Sequence, residues 1–193
     1  MEVYTIPPVL YRGLGEETHA RAFVENGVVR LGNLDWYRKC EDPIRKDPGE
    51  RTAQYREPLA DRPTELVECR RGIFNTVFVL SMSDDMNAAR RFGPFIVQIN
   101  DPSALRRDLW DYYRNGVNVE LEPVRYDRHE PVNPALDERG KHTLTFTQKA
   151  KGDERDREWR IALILLDSLS SDRYRIVDLG KRLEYCELLP STA

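Results

Sequence analysis

Three polar side chains stand at the edges of apolar stretches that are far apart in the chain. They are Arg12 in Val-Leu-Tyr-Arg-Gly (9–13), Ser81 in the Ser-Met-Ser triplet (81–83), and Glu158 in Asp-Arg-Glu-Trp-Arg (156–160). A guanidinium grips phosphate oxygens in bidentate fashion, and a hydroxyl hydrogen-bonds a sugar. A carboxylate can orient a ribose hydroxyl and stabilise a developing oxocarbenium ion. Brought to one place by three strands, the set would hold a phosphorylated, ribose-bearing ligand.

Each member also has a purely structural reading. An arginine inside an apolar strand is costly unless it is paired or faces a cleft. Arg12 therefore either points at a ligand, which Gly13 would let approach the backbone, or bonds a carboxylate such as Asp84 or Glu158. Ser81 and Ser83 share a face if the strand runs through them, with Met82 packed behind. Serines at strand ends also make local backbone hydrogen bonds, and Ser81 is favoured for being nearer the rigid strand. Glu158 opens the most apolar strand, with Asp156 two residues earlier on the same side. Its alternative is a charged gatekeeper flanking a hydrophobic strand, with 153–155 as solvated loop.

Positioning these residues falls to a strand-rich frame. A short strand over 9–12 leads to a helix in which Ala20, Phe23 and Val24 recur at helical spacing, and Asn26-Gly27 should stop it. A strand over 28–31 follows, and Asp35 could cap a turn or brief helix bearing Trp36 and Tyr37. Residues 41–65 are polar, broken by prolines and without period, which predicts a long loop that is either a flap over a site or a surface excursion. The clearest strand is 73–80. A small helix near 86–91, a strand over 94–99 and a helix capped by Asp101 with Pro102 in its first turn come next. In that last helix Leu105, Leu109 and Tyr112 or Tyr113 share a face. Alternation predicts strands over 117–126 and 142–147, with a polar connection between. A buried strand over 159–166 precedes a closing hairpin of 174–177 and 183–188. About eight strands and two or three helices give an α+β fold, mostly antiparallel, as a single domain over residues 1–193.

Composition narrows the function. Hydrophobic residues make up 40% and charged residues 33% of the chain, enough apolar matter for a core beneath a charged surface. Its 30 basic and 33 acidic side chains are interspersed and leave a net charge of −3. No global basic field is present to drive nonspecific nucleic-acid binding. Cys40, Cys69 and Cys186 are odd in number and widely spaced, which suits reduced thiols rather than a disulfide framework or zinc knuckle. The first residues lack a charged region followed by an apolar run, and the longest apolar run, 161–166, is too short to span a bilayer. A cytoplasmic protein without membrane attachment is expected.

Other chemistries are less well served. His19, His129 and His142 are scattered without a zinc-hydrolase pattern, and no glycine-rich phosphate loop of Walker or Rossmann type occurs. Glu41, Asp42, Asp47 and Glu50 could hold a hard cation, as in a metal-dependent nuclease. Arg45, Lys46 and Arg51 between them argue for a self-neutralised loop, so no metal is expected. Trp110, Tyr112 and Tyr113 at helical spacing read as core, whereas Trp36 and Tyr37 are the better rings to stack on a nicotinamide or adenine.

An arginine closing the first strand in a Tyr-Arg-Gly setting, a Ser-x-Ser after a central strand and an acidic-x-Glu at a later strand resemble the Arg–Ser–Glu class of ADP-ribosyltransferases. The likeness covers three short islands, in the family's order. It implies a split-sheet fold and NAD as a substrate. Arg12 would contact the dinucleotide phosphates or ribose, Ser81 the nicotinamide ribose, and Glu158 the ribose hydroxyl as nicotinamide leaves. It also implies a macromolecular acceptor, protein or nucleic acid, and a bacterial toxin or phage-defence effector with an antitoxin partner. Residues 41–65 or 149–157 would close over the dinucleotide. The chain departs from the family at Met82, in the middle of the usual Ser-Thr-Ser, and at Asp156, where the acceptor-side residue is usually Glu or Gln. The shorter acid leaves acceptor choice open. The rival expectation is a non-catalytic interaction module in which Arg, Ser and Glu form a structural network. Geometry separates the two: an enzyme needs Arg12, Ser81 and Glu158 in one open cleft.

Overall fold

In the computed structural model the described residues are 4–39, 52–58, 66–72, 76–114, 117–126, 143, 146–149, 151–165 and 171–190. In chain order they form β1 (Leu10–Leu14), α1 (Glu17–Asn26), β2 (Val28–Asn33), α2 (Leu34–Lys39), β3 (Thr52–Pro58), β4 (Leu66–Gly72), β5 (Thr76–Ser83) and α3 (Met86–Arg90). There follow β6 (Phe95–Ile99), α4 (Pro102–Tyr113), β7 (Val117–Pro123), a 3-10 turn (Lys151–Asp156), β8 (Glu158–Leu165), β9 (Tyr174–Asp178) and β10 (Cys186–Leu188). The fold is α+β, strand-rich and antiparallel, as the sequence pattern predicts.

The two most apolar strands pair with each other. β5 and β8 run antiparallel along their full length, from Thr76↔Leu165 to Ser83↔Glu158, and β7 covers the outer edge of β8. Burial on both faces explains the unbroken Val, Ile, Leu and Phe content of this centre. Leu80, Met82, Trp159, Ile161 and Leu163 belong to the larger core, which also includes Phe23 of α1 and Leu105 and Leu109 of α4. Val77, Val79, Ala162 and Ile164 face the other way, against Leu34 and Phe146.

Across the free edge of β5 the sheet forks. β1 meets β5 only at Tyr11↔Ser83 and continues to β6 and β10. β2 meets β5 only at Gly32↔Val79 and Asn33↔Phe78, and continues to β9. Between these two attachments lie residues 80–82 of β5, facing a gap.

Local chemistry sets the ends of the helices. Gly27 takes the left-handed conformation, φ 68°, and its N–H reaches Ala22 O to close α1. Asp85 accepts from the Asn87 and Ala88 amides to start α3, and Asp101 accepts from Ala104 N ahead of Pro102. At α2 the cap is Asn33 rather than Asp35: the Asp35 amide donates to Asn33 Oδ1 at 2.9 Å.

Several expectations are corrected. The patternless stretch 41–65 contains β3, paired with β4 from Thr52↔Gly72 to Pro58↔Leu66 in a separate two-stranded ribbon. Such a ribbon need not alternate apolar and polar residues, so period-2 reasoning passes over it. The rest of that stretch lies outside the described residues. The central strand runs on through Ser81 to Ser83. Thr143, Phe146 and Thr147 are helical, not extended. Thr147 Oγ1 donates to Thr143 O four residues back, and the β-branched content of that segment mimics a strand. The closing hairpin does not form either. β9 pairs with β2 and β10 with β6, on opposite arms of the fork, and Leu183 N anchors the connection to Val24 O. Helices α1 to α4, together with the helical residues 143, 146 and 147, exceed the two or three helices expected.

Candidate functional site

A cleft of about 470 Å³ opens at the fork, within the size range of cofactor sites. Arg12, Ser81 and Glu158 all line it. They arrive from β1, β5 and β8, strands that share the sheet but lie up to 146 positions apart in the chain (12 to 158).

Arg12 spans the fork. Its Nη1 donates to Ser81 O at 2.5 Å and its Nη2 to Arg30 O at 3.5 Å. The guanidinium thus ties β5 to the β2 arm where the strands have parted. The carboxylates considered as its partners are engaged elsewhere. Asp84 Oδ1 lies 2.7 Å from Arg157 Nε, and Glu158 is held by other cations. Gly13 lines the cleft, but its missing side chain makes room for protein rather than ligand. A Cβ there would overlap the carbonyl of Ala89, because α3 packs directly on β1.

The two serines differ. Ser83 Oγ donates to Asp156 O at 2.8 Å and accepts from Asp85 N at 3.1 Å, fastening the end of β5 to the turn before β8. Ser81, half-buried, has no hydrogen bond from its hydroxyl among the described residues. Of the pair, Ser81 is the one available to a ligand.

Glu158 is 6% exposed and faces two cations. Arg160 Nε donates to Oε1 at 2.8 Å, and Lys149 Nζ lies 2.7 Å from Oε2. Burial opposes ionisation, but the charges of Arg160 and Lys149 outweigh it and hold the carboxyl far below the usual carboxylate range. The Glu158 amide donates to Tyr126 OH at 2.9 Å. Burial pushes that phenol up to about 12, so it stays protonated beside the carboxylate.

Asp156 also lines the cleft, 6% exposed, with Arg91 Nη1 2.5 Å from Oδ1 and Lys149 Nζ 3.7 Å from Oδ2. Between the two acids Arg157 adopts φ 45°, a left-handed value uncommon for a non-glycine residue. This kink ends the 3-10 turn and starts β8, so both carboxylates reach Lys149.

Of the two rings expected to stack on a base, Trp36 is not on the cleft wall. Trp36 sits one ring behind it, with its centroid 5.9 Å from that of Tyr174, and the side chain of Tyr37 lies outside the described residues. Tyr11, Phe23, Phe92 and Tyr174 are rings on the wall, and Tyr174 carries no sequence signal for that place, nor do Arg30, Lys149 and Arg173. Arg160 also lines the cleft, and its place is legible, since a residue two after Glu158 in a strand must share its face. Lys149 carried no such signal, because the turn that brings it back has no period.

No group of metal-ligating side chains occurs among the described residues, and residues 41–50, with the acidic cluster, lie outside them. No described helix is long and apolar enough to cross a membrane. Cys186 is a buried free thiol, pushed up to about 12 by burial and then by Asp108, so it is unreactive near neutrality. Comparison of the chain with protein-family models, curated proteins and solved structures finds no match.

Proposed function

We propose that this chain is an ADP-ribosyltransferase-like enzyme that takes NAD as substrate and passes ADP-ribose to a macromolecular acceptor in the cytoplasm. The reading extends to a toxin or phage-defence effector, with an antitoxin as partner in the first case. The observation that carries it is the meeting of Arg12, Ser81 and Glu158 in one cleft.

In this reaction the glycosidic bond between ribose and the nicotinamide nitrogen breaks, and its electron pair leaves with neutral nicotinamide. The ribose carbon becomes oxocarbenium-like until the acceptor nucleophile bonds to it and loses its proton. A carboxylate held ionised by Arg160 and Lys149 is suited to stabilise that positive charge. Ser81 offers its hydroxyl to the ribose, and Arg12 keeps positive charge at the fork. Asp156, tied to Arg91, borders the side from which an acceptor would approach.

The burial of Glu158 between two cations also favours a second reading, a non-catalytic module with a structural charge network. Purified protein mixed with NAD and with protein or nucleic-acid acceptors decides between them. The enzyme should show a ligand-dependent rise in melting temperature and release nicotinamide, and Glu158→Gln should abolish release while retaining the NAD-dependent rise. Wild-type protein that neither binds NAD nor releases nicotinamide in any mixture overturns the transferase reading.

A further inference from the structure

Charge is unevenly partnered around the cleft. Its lining holds five lysine and arginine side chains, Arg12, Arg30, Lys149, Arg160 and Arg173, against three carboxylates, Glu16, Asp156 and Glu158. The two buried carboxylates are engaged, Asp156 with Arg91 and Lys149 and Glu158 with Lys149 and Arg160, while Glu16 is exposed at the rim. On the β2–β9 arm the situation is reversed. Neither Arg30 nor Arg173 has a carboxylate or a side-chain hydrogen-bond acceptor among the described residues, and Arg30 Nε is shut off from solvent. A buried donor without an acceptor calls for a reason.

Both guanidiniums are instead braced on aromatic rings. The Arg30 Cζ lies 3.5 Å from the centroid of Tyr174, and the Arg173 Cζ lies 4.8 Å from the same ring and 3.9 Å from that of Trp36. Stacking occupies the flat face of a guanidinium and leaves its in-plane N–H edge for a planar or tetrahedral anion. Arg12, by contrast, has two donors committed to the carbonyls of Ser81 and Arg30. The excess of two positive charges on the lining equals the charge of a diphosphate bridge.

We infer that Arg30 and Arg173, braced on Tyr174 and Trp36, form a diphosphate-binding wall that takes the two phosphates of a dinucleotide. This rests on the NAD reading for the ligand's identity, but not for its chemistry. It moves the main phosphate contact from β1 to the β2–β9 arm and places the nicotinamide ribose towards Ser81 and Glu158.

Calorimetric titration with ADP-ribose, which carries the diphosphate, and with nicotinamide riboside, which carries no phosphate, tests the wall. Arg30→Gln and Arg173→Gln should each weaken ADP-ribose binding about tenfold, the scale of one lost charge-assisted contact. Arg30→Lys should recover part of the loss, and nicotinamide riboside binding should not move. Arg173 is exposed, so its variant keeps the test valid should Arg30→Gln impair folding. Equal ADP-ribose affinity in wild type and Arg173→Gln, or no ADP-ribose binding by wild type, overturns the wall. ADP-ribose binding that both variants weaken, without nicotinamide release by wild type, supports the wall and removes the transferase reading. Nicotinamide release with unchanged ADP-ribose affinity in the variants does the reverse.

Discussion

Lys149 Nζ and Glu158 Oε2 stand 2.7 Å apart, with the two side chains only 12% and 6% exposed. The same ammonium lies 3.7 Å from Asp156, and Arg160 takes the other oxygen of Glu158. Neutralising Glu158 leaves two buried cations facing each other, and breaking a buried pair from one side is strongly destabilising. Glu158→Gln should therefore lower the unfolding free energy by about 3 kcal/mol, measured by urea titration. Lys149→Met should lower it less, because Arg160 stays on Glu158 and Arg91 on Asp156. If the Gln variant changes stability by less than about 0.5 kcal/mol, the range of an ordinary surface substitution, the charge network is not a structural element. The NAD-dependent shift in melting temperature must then be read against each variant's own baseline.

The same carboxylate sets a pH response. Its folded-state pKa is depressed below the ordinary 4.5, so the unfolded chain binds the proton first as pH falls. The stabilisation is complete above about pH 5 and drains away as pH drops through the unfolded value towards the lower folded one. Wild-type stability should fall steeply between about pH 5 and pH 3, and the fall should be shallower in Glu158→Gln. Parallel slopes for the two proteins across that window would show that Glu158 is not the group responsible.

What the sequence made legible followed from burial and spacing. β5 and β8 announced themselves because a strand buried on both faces must be apolar throughout. The caps at Asp85 and Asp101 follow from side chains a few residues from the amides they satisfy, and the stop at Gly27 from the left-handed backbone that glycine allows. The cleft depends on register, which spacing does not encode. Ser83 opposes Glu158, and Arg12 lies beside Ser81, only because strands far apart in the chain align in one way. The false hairpin at 174–188 has the same origin: proximity in sequence suggested pairing, whereas each strand found its partner on a different arm. Tyr174 carries no sequence signal, because its role depends on Arg30, a neighbour from another strand.

Arg12 ties the two arms of the fork, so its removal should loosen the sheet as well as any site. Two backbone carbonyls, Ser81 O and Arg30 O, would lose a donor, and an orphaned polar group costs about 1–3 kcal/mol. Lysine keeps the charge but cannot present two nitrogens in a fork. Arg12→Lys should be destabilised nearly as much as Arg12→Gln, with faster amide exchange at the β2–β5 junction around Gly32 and Asn33. Full stability in Arg12→Lys would mean that charge alone, without the fork geometry, is what the position requires.

Gly13 offers a check on how closely α3 is seated against β1. A Cβ at this position would collide with the Ala89 carbonyl and crowd Gly93 N, both backbone groups that cannot swing aside. Gly93 shows the reciprocal constraint, since its Cβ would overlap the backbone of Leu14. Gly13→Ala must therefore push α3 outward, an overpacking cost of about 1–3 kcal/mol. The displacement would reach the cleft, because Ala89 and Phe92 line it alongside Gly13. NAD or ADP-ribose affinity should weaken together with stability. Gly15, where a Cβ meets nothing within 4 Å, is the matched control for packing, and Gly15→Ala should leave stability unchanged. If Gly13→Ala is as stable as the Gly15 variant yet loses ligand, the glycine serves ligand approach after all, and the helix contact is incidental.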